Sequence, residues 1–256
     1  MIERSSSDRL KRQRRLILIS LLTLAAVSWV LVVRQTGMPE GAGPTMGMTV
    51  PLFLAAWVAM MVAMMFPTAA PMIMMFATVS TGKRQRGQPF VPTWIFVGSY
   101  LMIWVAFGVL ADIVAVGAGA LSKQSIWVME NAPRLGGLLL LLAGAYQLSP
   151  LKNVCLTKCR SPLSFILTSW RDGPTGAVRM GLKHGAYCLG CCWLLFAILF
   201  PLGIMNIAVM VALTLLIFAE KTVPIGPMIG RLAGVGLIGY GALVVLVPHV
   251  LPGMGM

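Results

Sequence analysis

Hydrophobic positions in this chain fall in long runs broken by short polar stretches, not in the one-faced or alternating patterns of a soluble domain. A helix needs about 20 mainly apolar residues to cross roughly 30 Å of hydrocarbon. Candidate runs cover residues 16–33, 49–78, 93–119, 134–149 and 227–248. Residues 185–219 are also apolar throughout, and the turn signal Pro201-Leu202-Gly203 divides them into two short spans. The pattern predicts an all-α, polytopic transmembrane helix bundle of about seven spans. If Pro201 only kinks one long tilted helix, the count is six.

Composition agrees with that reading. Of the 256 residues 58% are hydrophobic and 11% charged, and the mean hydropathy is +0.88. Soluble domains average about 45–50% apolar and about 25% charged. Three parts follow: a basic N-terminal segment 1–15, one transmembrane domain 16–248 with an inner loop 150–184, and a short tail 249–256.

The net charge of +13 would point to nucleic acid in a soluble protein. Here no nucleic-acid motif accompanies the cations, which flank apolar spans and set orientation. Arg4, Arg9, Lys11, Arg12, Arg14 and Arg15 precede the first span, which is longer than the about 7–15 apolar residues of a signal peptide. It reads as an uncleaved anchor. With the N-terminus cytoplasmic, seven spans leave only Arg34, Lys123 and Arg134 in outer segments. The expected setting is the bacterial inner membrane, in contact with lipid along most of the chain. Glycines at 226, 230 and 234, with 136, 137 and 144 in the fourth span, form small faces on which helices pack or the chain oligomerises.

Several residues exceed what a membrane helix needs. Residues 57–75 hold seven of nineteen methionines. At about 100° per residue Trp57, Met61, Met64, Thr68 and Met75 share a face, with Met60 and Met72 beside it. Methionine packs like leucine and fills gaps, but clustered thioethers also suit Cu(I). Pro67 and Pro71 free backbone carbonyls in the same helix. Met38, Met46, Met48, His249, Met254 and Met256 add soft donors near the outer ends.

A second constellation is His184-Gly-Ala-Tyr-Cys188-Leu-Gly-Cys191-Cys192-Trp193. On a helix His184, Cys188, Cys191 and Cys192 occupy i, i+4, i+7 and i+8 and share a face. The inner loop adds Cys155 and Cys159, a C-x3-C pair between Lys152 and Arg160 whose neighbouring cations favour the thiolate. Buried thiols can be simple packing, whereas a structural zinc site would draw four such ligands. Five cysteines are an odd number confined to one third of the chain, unlike a secreted disulfide scaffold. Asp112 and Glu220 are acids at membrane depth, where a charge costs about 2.5–3.5 kcal/mol on insertion scales and so seeks a partner. Glu220 is read either as an interfacial partner of Lys221 or, in the seven-span arrangement, as a ligand or imidazole partner near His184 and Cys188.

The segments Trp57–Met75, Tyr146–Pro162, Gly181–Trp193, Gly203-x-Met205-Asn206 and Glu220-Lys221 occur in this order. Together they resemble a bacterial family of predicted metal-binding integral membrane proteins that includes the tyrosinase-associated membrane copper chaperone. The resemblance spans roughly residues 49–223, and Gly181-x-x-His184-Gly-x-Tyr-Cys188-x-Gly-Cys191-Cys192-Trp193 is its specific part. It implies copper delivery to a copper-dependent enzyme.

The first functional expectation is a non-enzymatic Cu(I) carrier. Met61, Met64 and Met75 would be weak stations and His184, Cys188 and Cys191 the tight site, with Met60, Cys192, Cys155, Cys159 and Glu220 as further candidate ligands. Zinc is the alternative metal. The competing classes are a membrane thiol-disulfide electron relay through Cys188 and Cys191, and a structural subunit of a membrane complex. No P-loop is present, so transport would be passive or gradient-coupled.

Overall fold

The computed structural model describes residues 2–36, 48–88 and 90–250, with side chains from residue 11 onward. Met38, Met46, Met254 and Met256 lie outside the described residues. The chain runs through α1 (Ile2–Gln35), α2 (Val50–Gln85), α3 (Thr93–Gln124), α4 (Ile126–Leu148), α5 (Pro150–Arg160), α6 (Pro162–Ser169), α7 (Gly173–Ala197), α8 (Leu199–Leu202), α9 (Ile207–Thr222) and α10 (Gly226–Leu246). Among the described residues, six stretches are long and apolar enough to cross a membrane: α1 from Lys11, α2, α3, α4, α7 with α8, and α10. At 1.5 Å per residue the 16 residues of α9 reach about 24 Å, short of the roughly 30 Å of a hydrocarbon core.

Leu24, Ile113 and Leu232 are exposed on α1, α3 and α10, as lipid-facing surfaces require. By contrast α2 is enclosed. Met60, Met61, Met64, Met65 and Met72 are all almost fully buried, and α2 packs on α1, α3, α6 and α9. The helix continues through Pro67 and Pro71.

Two sequence expectations change. The reading of residues 185–219 as one long helix kinked at Pro201 fails because α8 ends at Gly203, whose φ of +95° is open to glycine, and the chain turns back, although the count of six long apolar stretches stands. Lys221, near the end of α9, then reaches Cys188 on α7. A continuous kinked helix would separate them by its full length. The inner loop 150–184 is also largely helical. Proline in the first turn of α5, α6 and α7 supplies a preset φ where no N–H is needed, so α7 begins well before residue 185.

The basic segments gather at one end of the bundle. Gln13 meets Thr81, Lys83 pairs with Asp172, and Arg160 reaches Val223. The glycine faces expected on α4 and α10 pack on each other within the chain. A Cβ at Gly144 would lie 2.7 Å from the Gly234 carbonyl oxygen, while Gly236 and Gly239 have nothing within 4 Å.

Candidate metal centre

Helices α3, α5, α7 and α9 bring the cysteines together. The close approach of α3 and α7 depends on Gly181, where a Cβ would meet the Phe96 carbonyl oxygen at 2.5 Å. It sets Tyr100 against α7, and the Tyr100 hydroxyl lies 3.2 Å from Cys188 Sγ. From α9, Lys221 Nζ donates to the same sulfur at 3.0 Å. Cys188, Cys191 and Cys192 are buried.

A clamp positions α5. Arg160 donates from Nη1 to the Glu220 carbonyl at 2.7 Å and from Nη2 to that of Val223 at 2.9 Å. The Glu220 carbonyl lies in the last turn of α9, where a cation also complements the helix dipole, and the Val223 carbonyl additionally accepts from Gly226 N at 2.9 Å. Cys159, adjacent to Arg160, is thereby placed on the side of α5 that packs against α7, and the neighbouring Cys188 and Cys191 thiols push its pKa up, with burial adding to the shift. Burial pushes the Cys155 thiol up as well, with the charge of Cys191 adding to it. Cys155 Sγ lies at Gly190, where a Cβ would be only 2.8 Å away.

The sequence-derived candidates therefore separate. All five cysteines are free thiols on α5 and α7, with Cys188, Cys191 and Cys192 buried and Cys155 and Cys159 half-buried. His184 is buried one turn away, its ring stacked on Tyr100 and Phe96 with Phe165 at its edge. Neither ring nitrogen has a hydrogen-bond partner, an orphaned polar group of the kind a ligand or water satisfies. Cys191 and Cys192 turn their thiols onto the Cys188 carbonyl, at 3.0 and 2.8 Å. Among the described residues no three His, Cys, Asp or Glu side chains stand ready to hold a metal ion. The joint imidazole–thiol site expected from helical spacing is thus not preassembled, because these thiols satisfy the backbone instead.

Glu220 does return to the level of Cys188, but its carboxylate faces elsewhere. Lys152 Nζ donates to both carboxylate oxygens at 2.7 Å, and Gln147 bonds both partners. Lys152 and Glu220 are each 1% exposed. The expected Glu220–Lys221 pair is absent, since neighbouring residues on a helix do not face each other.

Met60, Met61 and Met64 are buried in the core, and Met75 is half-buried against it. His249 is exposed. Sequence reasoning missed Lys221 and Tyr100 as neighbours of Cys188. The signal for Lys221 was available: two adjacent buried charges on one helix need two different partners.

Sulfur donors from α5 and α7 beside a buried ammonium form a setting suited to a soft, thiophilic cation. The copper chaperone family model PpoB2 matches residues 54–244, most of the chain and every helix of this centre. The chain belongs to this family of copper chaperones. Its apolar helices make it a membrane-type member. No curated protein and no solved structure shows detectable similarity to the chain.

Proposed function

We propose that this membrane copper chaperone carries Cu(I) on Cys188, Cys191 and Cys159 and delivers it to a copper-dependent enzyme. The observation that carries the reading is the burial of three free thiols, Cys188, Cys191 and Cys192, on α7, with the Lys221 ammonium 3.0 Å from the Cys188 sulfur. Thiolates select Cu(I) over harder ions, and the Lys221 ammonium offers the counter-charge that a ligating sulfur needs. Loading requires the Cys191 thiol to rotate off the Cys188 carbonyl and lose its proton. Cys192 and Cys155 are reserve donors, and His184 joins when its orphaned nitrogens find an ion or a bridging water.

Met61, Met64 and Met75 act as weaker stations along α2. The basic end faces the cytoplasm of the bacterial inner membrane, following the positive-inside rule. The thiols then lie near the cytoplasmic side, and the α8–α9 turn faces outward. The protein performs no catalysis on its cargo.

Anaerobic Cu(I) titration of the purified full chain against a chromogenic chelator tests the reading. Cys188→Ala with Cys191→Ala should abolish tight binding. Unchanged stoichiometry and affinity in that variant would overturn it.

A further inference from the structure

Three methionines from separate segments line one small cavity at the opposite end of the bundle. Met48 precedes α2, Met60 lies within α2, and Met205 sits in the turn between α8 and α9. Trp57, Phe53 and Ile204 line the same space, about 10 Å³ in volume. Met60 is 1% and Met205 8% exposed. The cavity is lined without a carboxylate, imidazole, amide or hydroxyl, so it offers nothing to a hard cation or to zinc.

Its size also limits the occupant. A volume of that order holds about one water-sized sphere, but water needs two or more polar partners that this lining lacks. Three thioethers in an apolar pocket instead match a bare monovalent soft ion. Trp57 strengthens the match, because an indole ring attracts a cation brought over its face. The indole is fixed by its Nε1 donating to the Trp104 carbonyl at 3.0 Å and by stacking on Phe53 at 6.0 Å. The turn that presents Met205 is fixed as well. Gly203 at positive φ makes the bend, and Asn206 Oδ1 accepts from Val209 N at 3.2 Å to cap α9.

We infer that Met48, Met60 and Met205, beside Trp57, form a second Cu(I) site that receives or releases the ion at the end of the bundle away from the thiols. The inference deepens the copper reading and depends on copper being the cargo, but not on the cysteine site being correct. Met48 and Met205 lie outside the methionine face of α2, and only the chain reversal after α8 brings Met205 to Met60. Binding by neutral thioethers exchanges no proton, unlike binding by thiols. Occupancy here should therefore be independent of pH where the cysteine site weakens on acidification.

The test uses Ag(I), a redox-inert soft probe, with the full chain in lipid nanodiscs. Cys188→Ala with Cys191→Ala should retain about one equivalent of Ag(I) on thioethers. Adding Met60→Leu and Met205→Leu, which conserve volume, should remove it. Bound Ag(I) should also protect Met60 and Met205, but not exposed Met102, from peroxide oxidation read by mass spectrometry. Met48→Leu alone supplies a milder variant if the double substitution disturbs folding, and should weaken the same equivalent. Retention of full binding by the methionine variants, without protection of Met60 and Met205 in the parent, overturns the inference. Loss of binding only with the cysteine variants sustains the thiol site and rejects this one. Loss only with the methionine variants does the reverse.

Discussion

The ammonium of Lys221 lies 3.0 Å from the sulfur of Cys188 although 33 residues separate them in the chain. The pair is buried, and it joins the returning helix α9 to the cysteine-bearing helix α7. Removing the cation while keeping an apolar stem should leave the fold intact and weaken copper binding. Lys221→Met is expected to reduce Cu(I) affinity by about 10–100-fold, the usual cost of losing a group that supports a metal ligand. Lys221→Arg should recover part of it. Chelator competition measures both, and equal affinity in the Met variant would contradict a supporting role for the charge.

The Lys152–Glu220 pair is expected to be structural. Glu220→Gln or Lys152→Met alone leaves a buried charge without its counterpart, which costs about 3–5 kcal/mol. The double variant Lys152→Met with Glu220→Leu should be less damaging than the sum of the two, because no uncompensated charge remains. Thermal unfolding in micelles reads the stability, and the double variant should bind Cu(I) with the parent stoichiometry. Loss of one equivalent would restore Glu220 as a ligand.

Close backbone approach between α4 and α10 should make Gly144 intolerant of a side chain. Gly144→Ala places a methyl about where the Gly234 carbonyl oxygen and Ile238 already stand, 2.7 Å from each. Overpacking of this kind costs about 1–3 kcal/mol. Gly236→Ala, on the open side of α10, should melt like the parent. Parallel melting curves distinguish the two positions, and equal stability of both variants would refute the contact.

At the basic end, hydrogen bonds from Lys83 and then Trp170 hold the Asp172 carboxyl below its ordinary range. A carboxylate depressed in the folded state stabilises above its unfolded pKa, near 3.9. That contribution disappears as pH falls through the folded value. The pair is exposed and its effect is small. Asp172→Asn should melt slightly below the parent at pH 6 and together with it once the carboxyl is protonated. A gap that persists in acid would assign the effect to something other than this charge.

The helices were largely legible because a membrane span is written locally, as a sufficient length of apolar residues. Pro201-Leu202-Gly203 marked the reversal for the same reason. The inner helices were harder to see. Their polar residues masked α5 and the start of α7, although Pro150, Pro162 and Pro174 stood at their first turns. Cys188 and Cys191 were visible as chemistry through their spacing, but Tyr100 gave no sign of its place beside them. Its position follows from the rotation of α3 against α7, which no local pattern records.

By itself the sequence determined an all-helical membrane chain, the clustering of its cations toward one end, and an excess of sulfur beyond what packing requires. It also set the turn after α8, since few residues other than glycine adopt the conformation of Gly203 comfortably. Tertiary structure decided the partners. It sent Glu220 to Lys152 and Lys221 to Cys188, folded the α4 and α10 glycine faces together, and joined Met205 to Met60. The physical reason is one of range. Helical periodicity fixes which face of a helix a side chain occupies, but what that face meets depends on crossing angles and rotations set jointly by all the packed neighbours.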